Sequence, residues 1–393
     1  MNNGKRHKYI LVCLFRKGGN SMRNRMAHVL KTLVLLSAII ALAFSSSGVT
    51  RAAQDALNTC LTVLLPTLFP FFVLTRLLVG SGGVQLLGRM CNCIMRPLFG
   101  IRGEGAAAFV MGLLSGYPVG AKTAADLYRQ GLVSRTEAQN LLGFCNNCGP
   151  LFVIGAVGSG MLGDRRIGFY LLAVHIAAAI TVGMLSRIFI QNLTITTPKS
   201  NQKATKTDLF TQAVESSVQA VLTVFGYVIF FAVLMGLLSQ YGILSLAGRL
   251  LSPLNLPESL TSALLYGFFE LMGGIQKTTE SLNVSLPFQL VFISFFLGWA
   301  GWSVHLQAKG FISGCGLSFR RYVAAKLTHG GIAAVYTAFT CHFVTPSVSA
   351  PVSVPALSTG SCSPMLSGFM LLSVIILAMY LIRSRGSATR SWW

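Results

Sequence analysis

The sequence has few charged residues, and the charges it has are strongly unbalanced. Only 10% of the 393 residues are charged, 10 acids stand against 31 lysines and arginines, and 53% of the residues are hydrophobic. A soluble domain carries about 25% charged residues, so a fold exposed to water on all sides is excluded. The basic residues stand mainly in short loops and tails between apolar runs, and no basic face interleaves with aromatic residues. This placement is typical of a membrane protein with basic cytoplasmic loops, and it argues against a nucleic-acid partner.

Catalytic and nucleotide-binding motifs are also lacking. The sequence contains no HExxH, no P-loop and no GxSxG, so neither an enzyme nor an ATP-driven pump is expected. The 9 cysteines include one CxxC pair, Cys145 and Cys148, without a second pair or a histidine partner at zinc-finger spacing. We favour small packing residues over redox or metal chemistry for this pair. No cofactor and no metal is therefore predicted.

Long apolar runs are what the sequence has in abundance. A helix needs roughly 20 apolar residues to cross the hydrocarbon core, and about eight runs meet this requirement. They cover residues 28–48, 54–79, 136–163, 167–190, 211–238, 286–313, 321–343 and 364–383. Two interrupted runs, 104–130 and 258–283, are predicted to be re-entrant hairpins that break at Ser115–Pro118 and Gly273–Gly274. The sequence thus predicts an all-α polytopic membrane protein with two re-entrant hairpins.

The two halves of the apolar region resemble each other at an offset of roughly 155–160 residues. The run at 55–74, for example, parallels the run at 215–234. An odd number of crossings in each copy predicts inverted-topology repeats, an architecture common in secondary transporters. The predicted organisation is a basic N-terminus (1–27), a first transmembrane helix (28–50), repeat 1 (51–200), repeat 2 (201–343), a Pro/Ser-rich linker (344–363), and a last transmembrane helix with a basic tail (364–393).

The basic residues also predict the orientation. They cluster before the first span, between positions 89 and 135, between 199 and 206, and in the C-terminal tail, which places both termini in the cytoplasm. The stretch Ala41–Ala43 resembles a signal-peptide cleavage site, but the long basic leader favours a first span that is retained. A multi-pass protein of the cell (inner) membrane is therefore expected.

Polar residues at the predicted breaks are the candidate site. In the first hairpin, Ser115 and Tyr117 lie in the break, and the next helix is predicted to begin near Val119. The free amide groups of a helix N-terminus favour an anionic ligand, and Lys122 adds a full charge one turn later. The structural alternative is a tight turn with a lysine that snorkels to water.

Two asparagines and one acid are also predicted at membrane depth. Asn146 and Asn147 fall in a break of the third crossing, where they offer amide donors and carbonyl acceptors or simply cap the two half-helices. Glu270 sits centrally in an apolar segment, which makes it a candidate for binding a coupling cation or carrying a proton. It could equally neutralise Lys122 or His305 in a structural ion pair.

The crossing 286–313 breaks within a group of polar and aromatic residues: Trp302, Ser303, His305 and Gln307. The histidine could titrate near neutral pH, the serine and glutamine offer hydrogen bonds, and the indole could stack on an aromatic substrate. A lone membrane histidine is often only a helix–helix hydrogen-bond partner. We interpret His175 and His329, which lie in unbroken spans, in that way.

Four motifs, LLSGYPVGAK, FCNNCGP, FFELMGG and GWSVHLQ, together resemble the sporulation integral membrane protein family YlbJ. That family belongs to the nucleoside-recognition (Gate domain) group, which is related to concentrative nucleoside transporters. The resemblance covers roughly residues 30–345. This chain departs from the family pattern at Cys148, where the family has Ser, and at Trp302, where it has Phe.

The resemblance implies a transporter that acts in endospore formation and moves dipicolinic acid from the mother cell across the outer forespore membrane. Dipicolinate is a small planar aromatic dianion, which the predicted charges, amides and aromatic side chains suit. Two alternatives stay open, an ion-coupled nucleoside-type transporter and a non-transporting membrane scaffold for spore maturation. The expected partners are the lipid bilayer, a small anionic substrate and further copies of the chain, without nucleic acid.

Overall fold

The computed structural model describes residues 28–44, 47–187, 208–251, 257–281 and 283–343, together with Met26 and Pro253. Every regular element of these residues is helical, which confirms the predicted all-α class. The α-helices are α1 (His28–Ala43), α2 (Ser47–Thr59), α3 (Leu65–Gly80), α4 (Gly83–Phe99), α5 (Ala106–Ser115), α6 (Val119–Arg129), α7 (Arg135–Cys145), α8 (Arg165–Arg187), α9 (Leu209–Gln240), α10 (Ile243–Leu250), α11 (Glu258–Phe269), α12 (Leu271–Thr279), α13 (Leu286–Trp299), α14 (Gly301–Ile312) and α15 (Phe319–Thr340). A π-helical segment, Leu151–Met161, follows α7.

Four helical stretches of the described residues are long and apolar enough to cross a membrane, and they match four predicted spans. They are Gly48–Gly80, Arg165–Arg187, Leu209–Gln240 and Leu286–Ile312. The number rises to five if Gly83–Phe99 and Gly103–Ser115, which are bent by 94°, count as one span.

The count is lower than the predicted total for identifiable reasons. The predicted span 136–163 is divided between α7 and the π-helical segment by a break of irregular backbone, so no single helix covers it. The first predicted span contains only the shorter apolar helix α1. The predicted span 321–343 forms a continuous helix, α15, but that helix is not among the stretches apolar enough to be counted. The predicted last span, the linker 344–363 and most of the basic N-terminus lie outside the described residues.

The helices follow one another in the same order twice. Each series has a long helix, an amphipathic helix, a packed pair of short helices, a broken crossing and a second long helix. The first series is α2–α3, α4, α5–α6, α7 with its π-helical segment, and α8. The second is α9, α10, α11–α12, α13–α14 and α15. Helices α2 and α3 pack against α9, and α15 packs against α13, α8 and α7.

In the first series, the break of the short helix pair packs directly on the break of the crossing. Helix α5 ends at Ser115, and Gly116 has a φ of 88°, which an L side chain rarely adopts. A Cβ atom on Gly116 would lie 2.8 Å from the backbone nitrogen of Gly149. Close approach of the two irregular segments therefore depends on glycine.

The second series repeats this contact with different residues. Ala300 and Gly301, between α13 and α14, have φ values of 73° and 79°. A Cβ atom on Gly301 would lie 3.1 Å from the backbone nitrogen of Glu270, in the break between α11 and α12. In each series, therefore, two breaks lie against each other inside the helix bundle.

The break of the second hairpin is not at Gly273–Gly274, as the sequence suggested, but at Glu270. The backbone of Glu270 is extended, and its side chain caps α12 by accepting from the amides of Met272 at 2.9 Å and Gly273 at 2.6 Å. Gly274 lies inside α12, where a Cβ atom would come within 2.3 Å of Gly267 Cα on α11. A glycine pair in a sequence marks a break or a close helix contact, and here it marks the contact.

The start of α7 is fixed by a network that also anchors the loop after α4. Ser134 and Glu137 form a capping box, in which each side chain accepts from the other residue's backbone amide. The Glu137 carboxylate also pairs with Arg102 at 3.0 Å. This network holds the first turn of α7. It therefore fixes the position of the other end of the helix, Cys145, and of the two asparagines that follow.

Candidate functional site

Polar residues from five segments, all buried except the half-buried Tyr117, meet beside the break that follows α7. We call this group the break cluster: Tyr117, Asn146, His175, His305, Tyr322, Lys326 and His329. It draws on both series of helices, because α8 belongs to the first and α14 and α15 belong to the second. The sequence predicted three of these residues, Tyr117, Asn146 and His305, as candidate site residues at breaks.

Lys326 is the centre of the break cluster. Its side chain is fully buried, and its Nζ donates to the backbone oxygen of Asn146 at 2.8 Å. The same Nζ lies 2.8 Å from His329 Nδ1 and 5.3 Å from the ring centroid of Tyr117. None of the four ion pairs formed by the described residues includes Lys326. Its amino group is therefore held by a carbonyl, an imidazole and an aromatic ring rather than by a carboxylate.

The two histidines of α8 and α15 form a defined pair. Because His329 Nδ1 accepts from the lysine, its Nε2 carries the proton and donates to the backbone oxygen of His175 at 3.0 Å. His175 Nε2 in turn accepts from the amide of Cys148 at 3.1 Å. The two rings lie 4.5 Å apart. These are the helix–helix hydrogen bonds expected for both residues, but they also hold Lys326 in place, which was not expected.

Asn146 and Asn147 hold the end of α7. Asn146 Nδ2 donates to the hydroxyl of Tyr322 at 2.9 Å, and its Oδ1 accepts from the amide of Ala121 in the first turn of α6 at 3.3 Å. Asn147 Nδ2 donates to the backbone oxygen of Phe144 at 2.7 Å, so it caps the helix. The capping alternative is thus realised for Asn147, and Asn146 bridges three helices.

Four side-chain atoms in this region are buried and have no hydrogen-bond partner among the described residues: Ser115 Oγ, Asn147 Oδ1, His175 Nδ1 and His305 Nε2. All four belong to residues within the breaks or beside them. An unpaired buried polar atom costs about 1–3 kcal/mol, so such groups are rare unless something else satisfies them. Together they offer donors and acceptors to a polar solute that reaches the breaks.

Lys122 lies in a different environment from the one predicted. It is 8% exposed and pairs with Asp126 one turn along α6, at 2.9 Å. It lines a cavity of about 300 Å³ between α3, α6, α9 and α14. We call this space the α9 cavity, and its walls are Arg76, Lys122, Asp126, Arg129, Gln130, Ser216, Gln219, Ala220, Thr223 and Phe311.

The alternative in which Glu270 neutralises Lys122 or His305 is wrong. Lys122 pairs with Asp126, and His305 Nδ1 faces the Tyr322 hydroxyl at 3.4 Å. The carboxylate of Glu270 is held instead by two backbone amides of α12, because an extended residue before a helix is ideally placed to cap it. Glu270 forms none of the ion pairs found in the described residues.

Two tryptophan rings pack against the imidazole of His305 on α14. The ring centroid of Trp302 lies 5.7 Å from that of His305, and Trp299 lies 4.4 Å from the same imidazole. Ser303 accepts a hydrogen bond from Gln307 Nε2 at 3.4 Å, so these two side chains partly satisfy each other. The structure therefore brings His305 to the break cluster, with Trp302 beside it as part of its aromatic wall.

Sequence reasoning missed Lys326 and Tyr322. A signal for the lysine was present, because an ionisable residue inside an apolar helix indicates function by default. Its spacing of three from His329 also places both on one helix face. Tyr322 carries no comparable signal, since a tyrosine in a membrane helix is common and its partners come from α7 and α14.

Comparisons with known proteins define the class to which the chain belongs. Residues 61–210 match the Gate family, described as nucleoside recognition. The described helices and this match define a helical integral membrane protein with a nucleoside-recognition domain. A relative from Bacillus subtilis (strain 168), the sporulation integral membrane protein YlbJ, is 33% identical over 310 residues, which are 73% of this chain and 76% of the relative. The chain belongs to the YlbJ family, as the four motifs indicated.

Two solved structures of CNTnw are also similar to the fold. One, in an intermediate state, is 16% identical, covers 74% of this chain and 84% of its own, and has a TM-score of 0.49. The other, in an outward-facing state, is 15% identical, covers 82% and 87%, and has a TM-score of 0.46.

Proposed function

We propose that this protein is a membrane transporter for a small anionic solute, and that the solute is dipicolinate, moved from the mother cell across the outer forespore membrane during endospore formation. The sporulation setting is supported by the name of the Bacillus subtilis relative, YlbJ. Transport is supported by buried polar residues at helix breaks, which a purely structural helix bundle has no need to maintain.

The main support for an anionic substrate is the charge of the side chains that line the α9 cavity. Its volume of about 300 Å³ is at the lower end of the range for ligand pockets, which suits a small molecule. Three basic side chains line it, from Arg76, Lys122 and Arg129, against the single carboxylate of Asp126. The Nε atom of Arg76 is buried without a partner among the described residues. A cavity of this charge attracts anions and disfavours cations.

Dipicolinate fits the chemistry of this region in two respects. Its two carboxylates match an excess of guanidinium and ammonium groups, which bind planar carboxylates through paired hydrogen bonds. Its aromatic ring matches the aromatic side chains of α9 and α14. A second cavity of about 350 Å³, which shares Thr223 with the first, is lined by Tyr227 and Phe230 and reaches Leu306, next to His305.

We further propose that the two helix series are inverted-topology repeats, corresponding to residues 51–200 and 201–343, with both termini in the cytoplasm. The identical order of elements and the paired contacts between breaks support this arrangement. Glu270 is our candidate for ion or proton coupling, because it is an acid at a break without an ion-pair partner among the described residues.

Uptake into proteoliposomes tests the proposal directly. Purified protein is reconstituted, and the entry of radiolabelled dipicolinate is compared between the wild type, Lys122→Met and Lys277→Met. The control is matched, because Lys277 also pairs with a nearby carboxylate, that of Glu280 at the C-cap of α12, but its side chain is 41% exposed. We expect Lys122→Met to lower uptake on the order of ten- to a hundredfold, the range for a lost hydrogen bond to a charged group, and Lys277→Met to leave it unchanged.

A nucleoside is the second candidate solute, favoured by the match of residues 61–210 to the nucleoside-recognition family. The same vesicles decide between the two, because labelled uridine and adenosine can replace dipicolinate. Saturable nucleoside uptake without dipicolinate uptake would establish this alternative. If neither solute enters, and break variants such as Asn146→Ala sporulate normally while variants of cytoplasmic loops do not, the scaffold interpretation is favoured.

A further inference from the structure

The surroundings of Lys326 are those of a bound cation. The ligands of its ammonium group are a backbone carbonyl oxygen and an imidazole nitrogen, each at 2.8 Å, and the face of an aromatic ring at 5.3 Å. Each of these groups attracts positive charge through its dipole or quadrupole. A lysine near the end of a membrane helix usually extends its side chain to water, but this one is fully buried.

The carbonyl ligand comes from the end of a half-helix. Asn146 follows the last residue of α7, and its φ and ψ of −93° and 96° turn its carbonyl oxygen away from the helix axis. The C-terminal end of a helix carries a partial negative charge. In transporters with broken helices, such ends and their unwound carbonyls are the places where the coupling cations bind. In this chain the place is taken by a side chain.

The groups that face the ammonium from each neighbouring element are imidazoles, thiols and phenols, not carboxylates. They are His175 on α8, Cys145 and Cys148 beside the break, Tyr117 between α5 and α6, His305 on α14, and Tyr322 and His329 on α15 itself. No carboxylate of the described residues pairs with Lys326. The ammonium therefore interacts with the carbonyl, imidazole and aromatic dipoles at the break, as a bound free cation would. It forms no ion pair with a carboxylate of the described residues.

We infer that the ammonium group of Lys326 is a tethered cation, which occupies the position at the α7 break where a coupling sodium ion would otherwise bind. This inference rests on the proposed transport function, and it adds that transport is independent of sodium. The pair of histidines supports the assignment, because His329 is fixed by His175 with its Nδ1 lone pair directed at the ammonium. A sodium ion and the ammonium cannot occupy the same ligands at once.

Two substitutions separate a tethered cation from a merely structural lysine. Lys326→Ala leaves the carbonyl and imidazole ligands with free space beside them, whereas Lys326→Met fills the same space with an uncharged chain. We expect the unfolding temperature of Lys326→Ala to rise when methylammonium or sodium chloride replaces choline chloride at equal ionic strength. The wild type and Lys326→Met should not respond, because neither has an accessible cation position.

Uptake supplies the second measurement. Wild-type uptake of dipicolinate should be equal with sodium and with choline outside the vesicles. Lys326→Ala should lose on the order of ten- to a hundredfold of that uptake and regain part of it with methylammonium, while Lys326→Met should lose it without recovery. Because Lys326→Met retains the volume of the lysine stem, it keeps the test informative if the alanine variant does not fold.

The outcomes distinguish a failure of the tethered-cation inference from a failure of the proposed dipicolinate transport. Sodium-dependent uptake by the wild type, or full uptake by Lys326→Met, would overturn the tethered cation. A folded Lys326→Ala that responds to neither methylammonium nor sodium would overturn it as well. If the wild type transports no dipicolinate but Lys326→Ala is stabilised by methylammonium, the proposed cargo is wrong and the tethered cation stands.

Discussion

Lys326 and His329 stand one turn apart on α15, and the lysine Nζ lies 2.8 Å from the histidine Nδ1. Both side chains are fully buried. The contact fixes three things at once: the position of the ammonium, the tautomer of the imidazole and, through the other ring nitrogen, the packing of α15 on α8. We therefore expect the two residues to be energetically coupled.

A double-mutant cycle on this pair measures that coupling. His329→Phe keeps a ring of similar size but removes the acceptor, so we expect it to lower the free energy of unfolding by about 1.5–3 kcal/mol, the range for a hydrogen bond to a charged group. In the background of Lys326→Met, the same change should cost less, with an interaction energy of about 0.5–3 kcal/mol. Unfolding in mixed micelles would be followed by tryptophan fluorescence. Strictly additive effects would show that the contact contributes nothing.

Two adjacent glycines on α15 offer a matched pair. A Cβ atom on Gly330 would lie 2.7 Å from the backbone oxygen of Phe295 on α13, whereas one on Gly331 meets nothing within 4 Å. Gly330→Ala should force α13 and α15 apart and destabilise the protein by about 1–3 kcal/mol. Gly331→Ala should be neutral or stabilise by up to about 1 kcal/mol, because alanine favours a helix. Equal thermal stabilities of the two variants would contradict the close crossing.

The acid of the α9 cavity should oppose the binding of an anion. Asp126→Asn removes the one carboxylate among the side chains that line it, but keeps an oxygen that can accept from Lys122. We expect the KM for an anionic solute to fall and its dependence on ionic strength to become steeper, since the cavity then holds uncompensated basic groups. Glu280→Gln, at an exposed pair with Lys277, is the control and should change neither. A KM that is unchanged at low salt would count against solute binding in this cavity.

Substitutions of Glu270 distinguish capping from coupling. Glu270→Gln keeps one of the two oxygens that accept from the amides of α12, so it should lose less thermal stability than a variant without a cap. Glu270→Ala loses the cap and should destabilise the protein by about 0.5–2 kcal/mol. If Glu270 also couples transport to an ion or a proton, the glutamine variant should still exchange labelled for unlabelled solute but should no longer concentrate it in a gradient. Normal concentrative uptake by that variant would remove Glu270 from the mechanism.

The sequence predicted the features that depend on local chemistry. The break at Ser115–Pro118 and the start of α6 at Val119 follow from glycine and proline, which end helices wherever they occur in such clusters. The α9 helix follows from an uninterrupted apolar run. In the second hairpin the same reasoning placed the break at Gly273–Gly274 instead of Glu270. A glycine pair looks identical in sequence whether it breaks a helix or lets another helix approach.

Long-range pairing was the part that could not be read from the chain. The pair of Lys122 with Asp126 is local, because the two residues stand four positions apart on α6, and helical spacing could have predicted it. The contacts of Lys326 are different. Lys326 meets Asn146, which is 180 positions away. No periodicity or motif encodes that contact, although the burial of a lysine in a membrane helix signals that some such partner must exist.

The hydroxyl of Tyr322 accepts from Asn146 Nδ2 at 2.9 Å and faces His305 Nδ1 at 3.4 Å. Its proton is free to point toward the imidazole, because the oxygen already receives the asparagine hydrogen. One oxygen atom thus ties the interrupted crossing of the first series to that of the second. A displacement of either interruption would therefore change a hydrogen bond to the other, and we expect Tyr322→Phe to weaken this connection between the two halves of the molecule.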